Sequence, residues 1–121
     1  MTPQEETKTP KIFLANAFSL QMIPQIEATV KIRKITVEEA KRILQNGFIN
    51  AIGHDATAAV LTKLLGIQIS MNRISITLQP GDRLVVFQLM TGRLPTGELT
   101  EEQLKEIVDK KLYEFRLVEL Q

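Results

Sequence analysis

The sequence predicts an α/β fold of the α+β kind: a single mixed β-sheet flanked by about three helices. Three observations lead there. Strand-like and helix-like runs interleave without the regular alternation of repeated βαβ units. Capping-box sequences announce helices at Thr36 and Thr100. The run Leu84-Val85-Val86-Phe87 is continuously apolar, as suits a central strand covered on both faces. The 121 residues, 44% of them hydrophobic, supply one ordinary core. The chain therefore divides into a flexible N-terminal tail, residues 1–10, and one domain, residues 11–121.

Taken in order, Met1 to Pro10 are polar, aperiodic and contain two prolines, so burial cannot offset the entropy of ordering them. Ile12-Phe13-Leu14 is a short strand followed by the polar residues Asn16 and Ser19. A second strand is expected where Ile26, Ala28, Val30 and Ile32 alternate with Glu27, Thr29, Lys31 and Arg33, the period of a half-buried sheet. Thr36 and Glu39 then open a helix whose apolar face is Val37, Ala40, Ile43 and Leu44, and Gly47 stops it.

Phe48 to Ile52 forms a short strand or extended approach to Gly53 and His54. A second helix follows, with Ala58, Leu61, Leu64 and Leu65 on one face and Gly66 at its end. Ile74, Ile76 and Leu78 alternate before the turn Pro80-Gly81-Asp82, which predicts a hairpin into the central strand. The third helix starts at Thr100 with Gln103 completing its box and Leu99 placed to staple against Leu104. Ile107 and Val108 extend its buried face, and a last strand runs from about Leu112 to Leu120 with Tyr113, Phe115 and Leu117 on one face.

Composition excludes several functions. Fifteen lysines and arginines against fourteen acids leave a formal charge of +1, which provides no global field for holding long nucleic acid. With no cysteine and one histidine there is no thiolate metal site, and an all-protein zinc or iron site is not expected. No apolar run reaches the roughly 20 residues of a membrane span, nor does the start carry a signal peptide's apolar block. The expectation is a soluble cytoplasmic protein without cofactor or membrane partner.

The segment Ile52-Gly53-His54-Asp55 carries the most chemistry, because it puts a glycine and the only histidine at a helix start. Unpaired N–H groups and the positive dipole end favour an anion there, and glycine lets a phosphate approach the backbone. A histidine beside a phosphate can protonate a leaving oxygen. A single histidine at such a place also fits a capping or half-buried role, and Asp55 fits dipole compensation. Arg73 and Arg93 lie in loops beside strand ends, where a guanidinium can meet phosphate or simply be solvated. Asn16 and Ser19 suit either a ligand or the cap of a short turn. Gln88, near the end of an apolar strand, needs a partner from protein or ligand.

Together, Asn16-Ala17-Phe18-Ser19-Leu20, Ala51-Ile52-Gly53-His54-Asp55, Asn72-Arg73, Gly81-Asp82 and Arg93-Leu94-Pro95 resemble the small ring nucleases known as anti-CRISPR proteins of type III systems. The resemblance runs in order from Ile12 to the last strand. It implies a two-fold homodimer that binds cyclic tetra-adenylate across its interface and cuts it without metal. His54 is then the general acid and Arg93 a catalytic residue, contacting the transition state or a phosphate. Asn16, Ser19, Arg73 and Gln88 hold ligand groups, Gly53 gives backbone room, and the loop Thr91 to Leu99 closes over the ring. Two departures bear on turnover: Thr96 stands where the family usually has glutamate, and Ala56 where it often has serine. The alternatives are a non-cleaving binder of the same ring, or a dimeric structural or regulatory protein without a nucleotide.

Overall fold

The computed structural model describes residues 10–90 and 99–121. Its elements in chain order are β1 (Ile12–Ala15), β2 (Val30–Ile35), α1 (Val37–Leu44), β3 (Ile49–Ala51), α2 (Asp55–Leu65), β4 (Arg83–Leu89), α3 (Glu101–Asp109) and β5 (Tyr113–Leu120). A 3-10 turn at Leu20–Met22 lies between β1 and β2. The strands form one five-stranded mixed sheet in the order β2-β5-β4-β1-β3. β1 runs parallel to β3 and β4, whereas β5 is antiparallel to β2 and β4. The predicted mixed sheet with three helices is what the chain forms.

Alternation along the strands divides the core in two. On one face Leu14, Val85, Phe87, Phe115 and Leu117 pack with Ala40 and Leu44 of α1, Ala58, Val60 and Leu61 of α2, and Ile107 of α3. Phe87 and Phe115 meet there with ring centroids 4.8 Å apart. On the other face Phe13, Leu84, Val86, Val118 and Leu120 are covered by irregular chain, through Phe18, Met22, Ile23, Ile76 and Leu78. Burial of apolar side chains on both faces of β4 explains why its sequence is continuously apolar.

Both capping boxes form. Thr36 Oγ1 accepts from Glu39 N at 3.1 Å and Glu39 Oε1 from Thr36 N at 3.4 Å. Thr100 and Gln103 repeat the exchange at 3.1 and 2.9 Å. Leu99 and Leu104 both pack on the helix-side core. α2 ends at Gly66 in the left-handed conformation, φ 73°. Asp82, almost wholly buried, accepts from Lys11 N at 2.8 Å and Gln79 N at 2.9 Å, joining the turn to the start of β1.

Two elements differ from expectation. The second strand spans Val30–Ile35 rather than beginning at Ile26, and Ile26 and Ala28 are exposed. Its partner explains this: the ladder with β5 begins where Val30 pairs with Leu120, and beyond it the described contact is a single bond from Gln121 N to Thr29 O at 2.9 Å. The expected hairpin is also absent, because both edges of β4 are taken by β1 and β5. Residues 74–78 instead lie across the sheet face. Ile76 and Leu78 are buried while Ile74 stays exposed, and Leu78 N donates to Met22 O at 2.7 Å. Among the described residues no helix is long and apolar enough to cross a membrane.

Candidate functional site

Parallel β1, β3 and β4 end on the same side of the sheet, so Asn16, Gly53-His54 and Met90 emerge together. The carboxyl ends of parallel strands are where open α/β sheets tend to bind ligands, because connecting loops and helix starts converge there. His54 is the N-cap residue of α2, with extended φ and ψ of −137° and 135°, and its side chain makes no capping hydrogen bond. The first helical bond runs from Ala58 N to His54 O at 3.0 Å. The amides of Asp55, Ala56 and Thr57 therefore have no intrahelical acceptor, as at any uncapped helix start. The imidazole is exposed beside them.

The backbone leading to His54 is held on both sides. Asn16 Oδ1 accepts from Gly53 N at 2.8 Å, and Arg73 Nε donates to Gly53 O at 3.0 Å. One residue earlier, Asn72 N donates to Ile52 O at 2.7 Å, and Asn72 Nδ2 to Asn50 O at 2.7 Å. Asn50 Oδ1 accepts from Ile52 N at 3.0 Å, an Asx-type turn, while its Nδ2 donates to Ser70 O at 2.6 Å. Ile52 is completely buried, so the loop is anchored by packing as well.

The structure thus brings Asn16, Gly53, His54 and Arg73 together. Of the two bland roles considered for His54, it holds the N-cap position but without a side-chain capping bond, and it is exposed rather than half-buried. Asn16 and Arg73 each use a polar atom on the Gly53 backbone, one on each of its two flanking peptide groups, leaving Asn16 Nδ2 and the two Arg73 Nη atoms outside the described hydrogen bonds. Ser19 caps the 3-10 turn, its Oγ accepting from Gln21 N at 3.3 Å. Gln88 is exposed on the sheet face away from the helices, so its side chain is not the buried polar group its apolar strand suggested. It stands opposite Glu114, whose carboxyl is held below the usual carboxylate range, chiefly by a hydrogen bond from Arg116. Asp55 is exposed in the first turn of α2, where it faces the dipole. Arg93, Thr96 and the rest of the expected closing loop up to residue 98, like residues 1–9 of the expected tail, lie outside the described residues.

Sequence reasoning passed over Asn50 and took Asn72 only as the neighbour of Arg73, with no role of its own. The available signal was Asn50 itself, a polar residue inside the apolar stretch Phe48 to Ile52. Two grooves of about 490 Å³ lie elsewhere, one between α2 and α3 including Asp55, the other beside Tyr113, and His54 lines neither.

Comparison with known proteins gives a consistent relationship. The family described as STIV B116-like matches residues 12–114. Uncharacterized protein 26 of Sulfolobus islandicus filamentous virus is 40% identical over 99 residues, 79% of this chain and 83% of the viral protein. Uncharacterized protein YddF of Bacillus subtilis is 30% identical over 105 residues, 84% of this chain and 94% of its own length. The solved structure of B116 of Sulfolobus turreted icosahedral virus superposes with a TM-score of 0.73 at 30% identity, covering 90% of this chain and 98% of B116.

Proposed function

The chain belongs to the STIV B116-like family, and on that footing we propose that it is a metal-independent ring nuclease: a homodimer that binds cyclic tetra-adenylate and cleaves it, shutting off type III CRISPR signalling. The observation that carries the reading is the exposed, uncapped imidazole of His54 at the start of α2, on a backbone held by Asn16 and Arg73. A phosphate seated on the amides of Asp55, Ala56 and Thr57 sits beside that imidazole.

In the reaction a ribose 2′-oxygen bonds to the adjacent phosphorus and the bond from phosphorus to the 5′-oxygen breaks. The proton of the 2′-hydroxyl is lost to solvent, and protonated His54 supplies one to the departing 5′-oxygen. Two such cuts release linear di-adenylates with cyclic phosphate ends. Arg73 Nη groups suit a phosphate contact, Asn16 Nδ2 a base or ribose, and Gln88 an exposed hydrogen bond. Arg93 is assigned its phosphate contact on the family resemblance alone.

The dimer follows from the ligand's symmetry, since a two-fold ring on a two-fold axis meets the same groups twice. Exposed Leu20, Ile26, Met71 and Ile74 support it. They lie on the two segments that carry Asn16, Ser19 and Arg73, so a second copy covering them stands next to the site.

Incubating the protein with cyclic tetra-adenylate and excess chelator, then resolving products by chromatography and mass, tests the reading. Linear di-adenylate is expected, and His54→Ala should retain binding while losing about 100-fold or more in rate. Ring recovered intact in complex with the parent protein makes it a binder, and no binding at all leaves a structural or regulatory role.

A further inference from the structure

We propose that Asn50 and Asn72 are positioning residues for His54, a clamp that fixes where the imidazole stands without touching the ligand. The proposal rests on the reading of His54 as the general acid. β3 is an edge of the sheet, and among the described residues no strand lies on its outer side to hold the chain that leaves it. The segment after α2 takes that place, its Asn72 meeting Asn50 of β3. Asn72 engages Ile52 O through its backbone and Asn50 O through its side chain, and Asn50 engages Ile52 N and Ser70 O.

With Asn16 and Arg73 on the Gly53 backbone, the carbonyls of Asn50, Ile52 and Gly53 and the N–H groups of Ile52 and Gly53 all have partners. Fixation stops at His54, whose carbonyl belongs to α2 and whose ring is unengaged as a cap. A rigid backbone beneath the imidazole narrows where its proton is delivered, and misplacement by about 1 Å costs on the order of 100-fold in rate. Asn72 is exposed, so core packing does not explain an asparagine there.

The test compares parent protein, Asn72→Ala, His54→Ala and the double variant by single-turnover cleavage and by equilibrium ring binding. Backbone amide spectra are recorded for each. Asn72→Ala should slow cleavage by roughly 10- to 100-fold, leave ring affinity within about 3-fold, and cause no further loss in the His54→Ala background. Its Gly53 and His54 amide signals should shift or broaden while those later in α2 stay in place.

Parental cleavage by Asn72→Ala overturns the proposal. So does a fall in affinity matching the fall in rate, which marks direct ligand contact, or an equal loss in the His54→Ala background. If the parent protein does not cleave, the general-acid reading has failed separately. The amide signals then decide the clamp, and parental positions for Gly53 and His54 overturn it. Asn72→Leu, of similar size and uncharged, removes the side-chain donor and serves if the alanine variant does not fold.

Discussion

An added Cβ at Gly53 would stand 3.5 Å from Asn16 Oδ1 and 3.7 Å from Arg73 Cγ, ordinary contact distances, and the residue is not in the left-handed region. The packing among the described residues therefore accepts alanine there, and the room the glycine leaves suits a group that approaches from outside. Gly53→Ala should leave the melting temperature unchanged or raise it slightly, since the change adds up to about 1 kcal/mol by restricting the unfolded chain. Ring affinity should fall by about 10-fold, read by titration of His54→Ala protein with and without the change. Unchanged affinity would show that the ligand does not pack on this residue. Asn16 and Arg73 make the complementary point. Each is a residue type suited to phosphate or base, and each also spends one atom on a peptide far away in sequence.

Helix ends obey local rules even where the chosen residue is not the cheapest. α3 closes with Leu112 N donating to Ile107 O at 2.9 Å and Lys111 N to Val108 O at 3.2 Å, a Schellman arrangement. The left-handed position is filled by Lys111, φ 53°, where glycine is the usual occupant. Lys111→Gly should raise stability by about 0.5 to 1 kcal/mol, because the Cβ crowding is removed. Chemical denaturation with an unchanged slope measures it, and a lower midpoint would refute the strain. The capping boxes at Thr36 and Thr100 were visible in advance because they need only residues three apart. β2 was misplaced because a strand's limits belong to the pair: the alternation from Ile26 onward satisfies the period, yet only Val30 to Ile35 lies beside β5.

For the molecule as a whole, ligand binding and subunit pairing are one equilibrium if the ring sits on the two-fold axis. A ring held at 100 times its Kd should stabilise the folded dimer by about 2.7 kcal/mol. Because one ring serves two chains that unfold together, that is a rise of roughly 5 °C in melting temperature. The melting temperature without ligand should also increase with protein concentration, as it does for any dimer whose subunits stabilise one another. A midpoint independent of concentration, together with a monomeric mass, would oppose the dimer. The exposed apolar residues Leu20, Ile26, Met71 and Ile74 are where substitution by serine should weaken pairing first.

The mixed sheet, its three helices, their starts and the placing of His54 and Gly53 at one of those starts were legible in residue order, because each depends on neighbours within a few positions. The order of the strands was not, and neither was the fate of residues 74–78, whose alternation promised a strand until β1 and β5 occupied both sides of β4. Gln88 likewise had to be placed in three dimensions to show that its side chain reaches solvent. The hold on the Gly53 backbone belongs to the same class. Asn16 and Arg73 stand 37 and 20 residues from it, and Asn72 stands 22 from Asn50. No local pattern encodes such pairs; they exist only once parallel strands bring their carboxyl ends together.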